Sequence, residues 1–501
     1  MGWVPPPIET AHLPREGTPA AEAPTRGLVV NRRTVLGAAV AGGAGVAAIR
    51  LLGLDGALER LVGGARTAGG RGDWVSPLAA EKARVNQLLR RATFGATPDQ
   101  LERAVADGFG KTVDRLLETS PEKPPDFTLT NGFAVNVANL ELWWVDHMLK
   151  TSTPFAERMT LFWHNHFTSD FRKVGAQTPF IYWQNLTWRD MAMTDLRSML
   201  TRVTADPAML RYLDLATSTG PAPNENYARE LMELFTMGVG SYGENDVRAA
   251  AKALAGWTLP RPTGSVEQTL DTANKVARRY PTYAAPATGV FAPRRAYRGA
   301  PFKFFGRTQQ WNTKKVLDQI LAQPATAVFI ARKVAQHFVS GSPDDAYVRR
   351  LADRLRSSKY DMKTLMCEVF TSPEFAADQS YRALVKSPAE FMVHVLKALQ
   401  APQLARLAVV SAHDMGQVLF DPPDVGGWPN NDAWISSNTV VARVNFVSAV
   451  LSQLRSLPSA AQVPGHLDGI LSTATAAHLD QAADDHARWF LALVSPEFQL
   501  M

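Results

Sequence analysis

Asn224-Glu225-Asn226-Tyr227-Ala228-Arg229-Glu230-Leu231-Met232-Glu233-Leu234-Phe235 is a helix written with more polar side chains than packing requires. At about 100° per residue, Tyr227, Leu231, Leu234 and Phe235 fall on one apolar stripe, with Asn226, Glu230 and Glu233 on a second stripe beside it. Glu225 and Arg229 are spaced i,i+4 and pair on the other flank. Asn224 is a natural N-cap, its side chain accepting from the first-turn amides.

This stretch is read together with Trp163, His164, Asn165, His166 and Phe167. Imidazoles, carboxylates, carboxamides and an arginine, bordered by aromatics, make a polar centre that is costly to bury unless every group finds a partner. The two segments are therefore the candidate site.

Helical spacing continues through the body, with apolar residues three and four apart and Pro, Gly or Asp at the breaks. Val85, Leu88, Leu89 and Ala92 make one face; Leu101, Val105, Phe109, Val113, Leu116 and Leu117 make the next pair. Leu140, Trp143, Trp144, His147 and Met148 continue the pattern, followed by a segment from Arg158 to Phe167 and others through Leu215. The spacing predicts further helices over 246–257, 313–321, 325–339, 344–356, 362–370, 389–399 and 439–454. No run of alternating strands appears. The expected fold class is mainly α: a single large multi-helix globular domain over 76–501, with long irregular loops and one small β-hairpin. The irregular stretches are 259–310, rich in Pro and Gly, and 421–435, which presents Trp428 and Trp434 among aspartates. Ser372-Pro373-Glu374-Phe375 is echoed by Ser495-Pro496-Glu497-Phe498, as two similar helix starts.

Residues 1 to about 75 speak to location. Asn31-Arg32-Arg33-Thr34-Val35-Leu36 is a twin-arginine box followed by an uncharged Ala/Gly/Val run, the layout of a twin-arginine export signal. The run is too short and glycine-rich to be a comfortable membrane span, so membrane attachment is expected only through an uncleaved leader. The expected destination is extracytoplasmic: periplasm, cell envelope or medium. Cys367 is the one cysteine of the chain, which excludes an intramolecular disulfide, and its helical apolar setting marks it as a buried, inert thiol. A net charge of +6 over 501 residues, partly from the leader, gives no reason to expect nucleic acid as a partner.

Seven ordered motifs carry a family resemblance: Asn86 to Gly95, Trp163 to Phe167, Asn224 to Gly240, Asp246 to Trp257, Phe329 to Val339, Lys386 to Phe391, and the Gly-Trp-Pro segment running on to Arg443, Asn445 and Phe446. From about residue 83 to the C-terminal Ser-Pro-Glu-Phe-Gln, the chain resembles the bacterial exported family known as domain of unknown function 1800. The resemblance implies an exported helical protein. Because members often sit beside genes for exported proteins resembling phosphatases and sulfatases, it also implies a partner of that kind. Where the family tends to show a His-Asp pair ahead of a Lys and a Gly, this chain has Arg295 and Ala296, then Lys303 and Gly306, so any ligand or base from that pair is lacking.

Residues two apart in a regular helix face away from each other, so His164 and His166 serve one centre only if their segment is irregular or ends there. In that case imidazoles with Glu225 or Glu230 suit zinc, manganese or iron, and one divalent metal ion held by His164, His166 and Glu230 is the implied cofactor. The alternative is a capped amphipathic helix with one ion pair and hydrogen-bonded core histidines. His-Glu-x-x-His, the Gly-x-Ser-x-Gly elbow, the phosphate loop and the dinucleotide fingerprint are all absent from the sequence. Trp428 and Trp434 beside Asp424 suit sugar rings; the alternative is that the tryptophans plug the core while Asp421 and Asp424 cap turns.

Two functions compete. In the first, the protein is a metal-assisted hydrolase of an envelope or extracellular substrate, with His164, His166, Glu225, Arg229 and Glu230 catalytic and Asn224, Asn226, Asp424, Trp428 and Trp434 binding. In the second it is a non-catalytic binding or assembly protein partnering the phosphatase- or sulfatase-like protein. An enzyme needs an accessible cleft at these residues, whereas a structural network is closed to solvent.

Overall fold

The computed structural model describes residues 75–130, 132–263, 266–271, 276–281, 283 and 286–501. The twin-arginine leader expected over 1–75 thus lies, but for its last residue, outside the described residues.

Helices dominate. The first three are α1 (Glu81–Ala92), α2 (Pro98–Asp107) and α3 (Phe109–Glu118). Thr97 and Gln100 close a capping box at the start of α2, followed by a proline at the first helical position. Next come α4 (Val137–Lys150), α5 (Pro154–His166), α6 (Phe180–Asp190), α7 (Leu196–Ala205) and α8 (Pro207–Tyr212). The quoted stretch forms α9 (Asn226–Glu233), packed on α10 (Glu244–Leu254). Beyond the irregular region lie α11 (Thr313–Leu321), α12 (Pro324–Phe338), α13 (Asp345–Ser357), α14 (Met362–Thr371), α15 (Pro388–Ala398), α16 (Ala405–Met415), α17 (Ser437–Gln453) and α18 (Asp485–Val494). The expected boundaries agree within a few residues. The largest shift is in α5, which starts at Pro154 because proline is well placed at a first helical position.

The irregular region holds more strand than the single hairpin expected. Three antiparallel pairs lie there: β1 (Trp257–Thr258) with β4 (Val290–Phe291), β2 (Val266–Asp271) with β3 (Val276–Pro281), and β5 (Phe302–Phe304) with β6 (Arg307–Gln309). The last is turned by Phe305 and Gly306, both at positive φ (41° and 77°), the twist that suits a two-residue hairpin. Ser372 and Ser495 each cap a short helix beginning with proline, so the Ser-Pro-Glu-Phe echo is two copies of one capping device. Cys367 is half-buried rather than buried, and burial pushes its thiol up, away from the reactive thiolate.

The core is organised around α5. Eleven of its residues are buried, including Glu157, Arg158, Thr160, His164 and His166. A helix enclosed on all sides must find internal partners for the polar groups it carries, and α5 does so for all but one ring nitrogen of His166. Thr160 bonds back to the Ala156 carbonyl at 2.8 Å. Glu157 receives both Arg189 Nε (2.8 Å) and Nη2 (2.7 Å), the Trp144 indole N–H, and His147 Nε2 at 3.3 Å. Burial alone would raise the Glu157 carboxyl, but the Arg189 charge and hydrogen bonds, with His147, hold it down at about 2. Arg158 is paired with Glu390 of α15 and also donates to the Arg91 carbonyl of α1.

Candidate functional site

His164 and His166 end α5, and the helix stays regular to its last residue, so the two rings point to different neighbours. His164 Nε2 accepts the backbone N–H of Phe420 at 3.1 Å, and its ring sits among Trp144, Phe420 and Trp428 with centroids 4.8 to 5.2 Å away. The His166 Nε2–H donates to the Phe235 carbonyl at 3.0 Å, which leaves Nδ1 a bare, buried acceptor. Its ring lies parallel to Phe162, with the rings of Phe167, Phe235 and Phe329 around it. Both imidazoles are pushed down to about 3, first by burial; for His166, Lys333 adds to this and the Phe235 bond opposes it. Both are neutral at physiological pH.

The metal centre expected of His164, His166 and Glu230 is therefore not assembled. Each imidazole spends its Nε2 on a different backbone group, and Glu230 stands on the half-exposed face of α9. Among the described residues no group of three or more His, Cys, Asp or Glu is placed to hold a metal ion.

The 421–435 segment closes over the end of α5. Trp428 N–H donates to Asn165 Oδ1 at 2.8 Å, and Thr168 Oγ1 donates to the Val425 carbonyl at 2.9 Å. Gly427, at φ +87°, lies so close that an added Cβ would fall 2.3 Å from Asn165 Oδ1. Trp428 and Trp434 are buried with Val385, Ile435 and Leu500. Of the two readings of these tryptophans, their burial agrees with the one in which they plug the core: their faces are used in packing, as the large apolar area of an indole favours. Asp424 accepts from Gly426 N–H at 2.7 Å, a turn-capping role.

The outer face of α9 is ionic. Arg229 reaches both Glu244 oxygens, at 2.6 and 2.9 Å, and Glu225 at 3.3 Å, so the expected Glu225–Arg229 pair is present and Glu244 joins it. The Glu244 hydrogen bonds raise the guanidinium further. Asn224 accepts from Asn226 N–H at 2.9 Å, inside the first turn as expected, although the residue flanking the helix is Glu225. Asn226 Nδ2 donates to Asp214 at 3.2 Å, and Asp214 also holds Lys173 at 2.9 Å. Tyr242 donates to Glu233 at 2.5 Å. The Glu230 carboxyl makes no hydrogen bond among the described residues, and burial with its neighbour Glu233 pushes it up against the pull of Arg229. Asp424 does approach this face: the Tyr212 phenol, raised to about 12 chiefly by burial, feels Asp170, Asp424 and Glu230 together.

Sequence reasoning missed the Glu157 and Glu390 networks. Their signal was present, since Glu157 and Arg158 interrupt an otherwise apolar helical run, but their partners Arg189 and Glu390 lie far along the chain. The Arg295–Ala296 departure is placed beside the loop that leads into Asn224: Gly220 N–H donates to the Arg295 carbonyl at 2.7 Å, and Arg295 Nη2 donates to the Ala216 carbonyl at 2.9 Å.

The fold and this buried centre define a mainly helical protein whose interior is fixed by hydrogen-bonded charged and imidazole side chains. The chain belongs to the family described as protein of unknown function (DUF1800), whose family model matches residues 87–500. No curated protein and no solved structure matches it.

Proposed function

We propose that the protein is an exported, non-catalytic assembly protein, carried by the twin-arginine route, which offers the ionic face of α9 with the 170–173 and 421–424 segments to an exported phosphatase- or sulfatase-like partner. The observation that carries this reading is the closure of both imidazoles: each is buried and each spends its Nε2 on a backbone group. The charged groups left facing outward are those of an interaction surface, where charge sets partner choice and encounter rate more than stability. The resemblance noted from the sequence supports the kind of partner.

The test is a binding measurement between the full chain and the phosphatase- or sulfatase-like protein encoded beside it. Reversing Arg229→Glu together with Asp424→Lys should weaken the complex by about tenfold or more without changing the circular dichroism. An unaltered affinity in that variant removes the α9 face from the proposal.

A hydrolase reading retains one specific observation, the raised and unbonded Glu230 carboxyl near Tyr212, which suits a general acid. It needs no role for His164 or His166, and any metal in it would need other ligands. Turnover of an envelope polymer that disappears in Glu230→Gln would favour it over assembly.

A further inference from the structure

A cavity of about 510 Å³ lies between α1, α2 and the Ala461–His466 segment, with His394 of α15 in its wall. It shares no residue with the α9 face and is independent of the assembly reading. Its α1 wall belongs to the Asn86–Gly95 motif, which takes no part in that face.

Buried polar atoms are nearly always paired, yet this wall carries four that are not. Arg90 Nη1, His394 Nδ1, His466 Nε2 and Gln462 Oε1 are all buried without a partner. Arg90, His394 and His466 are only 6 %, 3 % and 7 % exposed. The other end of the Arg90 fork is committed, since Nη2 donates to the His466 carbonyl at 2.6 Å and meets Asp468 at 2.9 Å. That arrangement fixes the guanidinium and leaves Nη1 over. His394 is equally fixed: its ring stacks on Phe498 at 4.4 Å, and Gly95 packs so close that an added Cβ would meet Cδ2 at 2.1 Å.

The field at this wall is positive. Burial first, then Lys386, His466, Arg90 and Lys397, push the His394 imidazole well down, and burial with Arg90 and Lys386 brings His466 to about 4. Both rings are therefore neutral and can each donate one hydrogen bond beside an arginine. The opposite wall, from α2, brings Pro98, Leu101 and Val105, which are apolar, with Glu102 as its acid. The volume is within the range of small-molecule sites and far exceeds the roughly 30 Å³ share of a single water.

We infer that this cavity binds a small organic carboxylate, with the acid group held by Arg90 Nη1 and by His394 and His466 as neutral donors, and the apolar body against Leu101 and Val105. Arg90, with the exposed Lys82 also lining the cavity, selects an anion, and the apolar wall selects a hydrocarbon body over an inorganic ion.

The experiment is calorimetric titration of the full chain with octanoate, octanamide and inorganic phosphate at neutral pH. Gly465 lines the cavity and an added Cβ there meets nothing within 4 Å, so Gly465→Trp fills the space without disturbing Arg90. His466→Phe keeps the ring and removes its nitrogens. The expected result is saturable one-to-one octanoate binding, weaker by about tenfold for octanamide, lost in Gly465→Trp and reduced about fivefold or more in His466→Phe, with both variants folded by near-ultraviolet circular dichroism. The inference is overturned if octanoate does not bind, if octanamide binds equally well, if folded Gly465→Trp binds undiminished, or if phosphate binds as tightly and displaces octanoate.

Discussion

His164 Nε2 accepts the backbone N–H of Phe420 at 3.1 Å, tying the end of α5 to a segment 256 residues further along the chain. Because the ring also fills the space among Trp144, Phe420 and Trp428, it acts as a packing group and a hydrogen-bond acceptor at once. His164→Ala leaves a cavity and an orphaned amide, and should cost about 3 to 4 kcal/mol. His164→Gln, which can still accept, should recover part of it. Urea denaturation of both variants is the check; a His164→Ala protein as stable as the native chain would refute the structural role.

The same histidines set the acid limit of the fold. His164 and His166 sit at about 3 in the folded protein against an ordinary imidazole value of 6.5, so the unfolded chain binds more protons between those two values. Their contribution is complete above about pH 6.5 and is lost as pH falls through that window. At 1.36 kcal/mol per unit, each imidazole should remove roughly 2 kcal/mol by pH 5. Stability measured from pH 7 to 4 should therefore fall steeply, and less steeply in the His166→Gln variant. Equal slopes would mean that His166 is protonated in the folded protein.

Glu157 is the anchor of the central helix. It is 1 % exposed and neutralises Arg189, itself buried, while accepting the Trp144 indole N–H. Glu157→Gln would leave that guanidinium without a counter-charge in the interior, which typically costs about 3 to 5 kcal/mol. Reduced soluble yield, with a melting temperature many degrees lower, is the expected outcome. A melting temperature near the native one would show that water reaches Arg189.

Much of this fold is legible in the sequence because helical periodicity needs only local spacing. The spacing places α11 at its observed ends, and the Glu225–Arg229 pair follows from i,i+4 geometry alone. What is not legible depends on which distant element arrives. Nothing local to Trp163–Phe167 says that Phe420 N–H and the Phe235 carbonyl will occupy the two imidazoles. Nothing local to Arg90 says that His466 and Asp468 will take one end of its fork. The 259–310 stretch reads as irregular because its strands are two to six residues long, too short for a period of two to stand out from its prolines and glycines.

Gly427 is a position that only glycine fills. Its φ of +87° disfavours any side chain, and an added Cβ would meet Asn165 Oδ1 at 2.3 Å and the Asn165 carbonyl at 2.4 Å. Asn165 Oδ1 is the acceptor for Trp428 N–H, so Gly427→Ala should push the segment off α5 and expose Trp428. The expected cost is about 2 kcal/mol or more, from backbone strain and the lost bond. Tryptophan fluorescence should shift to the red in the variant before global unfolding; an unshifted spectrum with native stability would mean that the loop accommodates the methyl group.

Asp206 offers a pH effect of the opposite sign. It is 3 % exposed, caps α8 through Met209 N–H and accepts Gln184 Nε2, both at 2.8 Å, yet no cation pairs with it among the described residues, and burial raises its carboxyl to about 7. A raised folded-state value means that its contribution is full below about pH 4 and is lost as pH rises through 7. Asp206→Asn keeps the oxygen that accepts both bonds and cannot ionise. Relative to the native chain the variant should therefore gain stability between pH 4 and 7, by up to about 4 kcal/mol, and hold that gain at higher pH. Paired urea titrations of the two proteins at about pH 4.5, 6 and 8 measure the difference directly. A gap that does not widen with pH would show that Asp206 is already ionised in the folded protein, stabilised by Gln184 and the helix start.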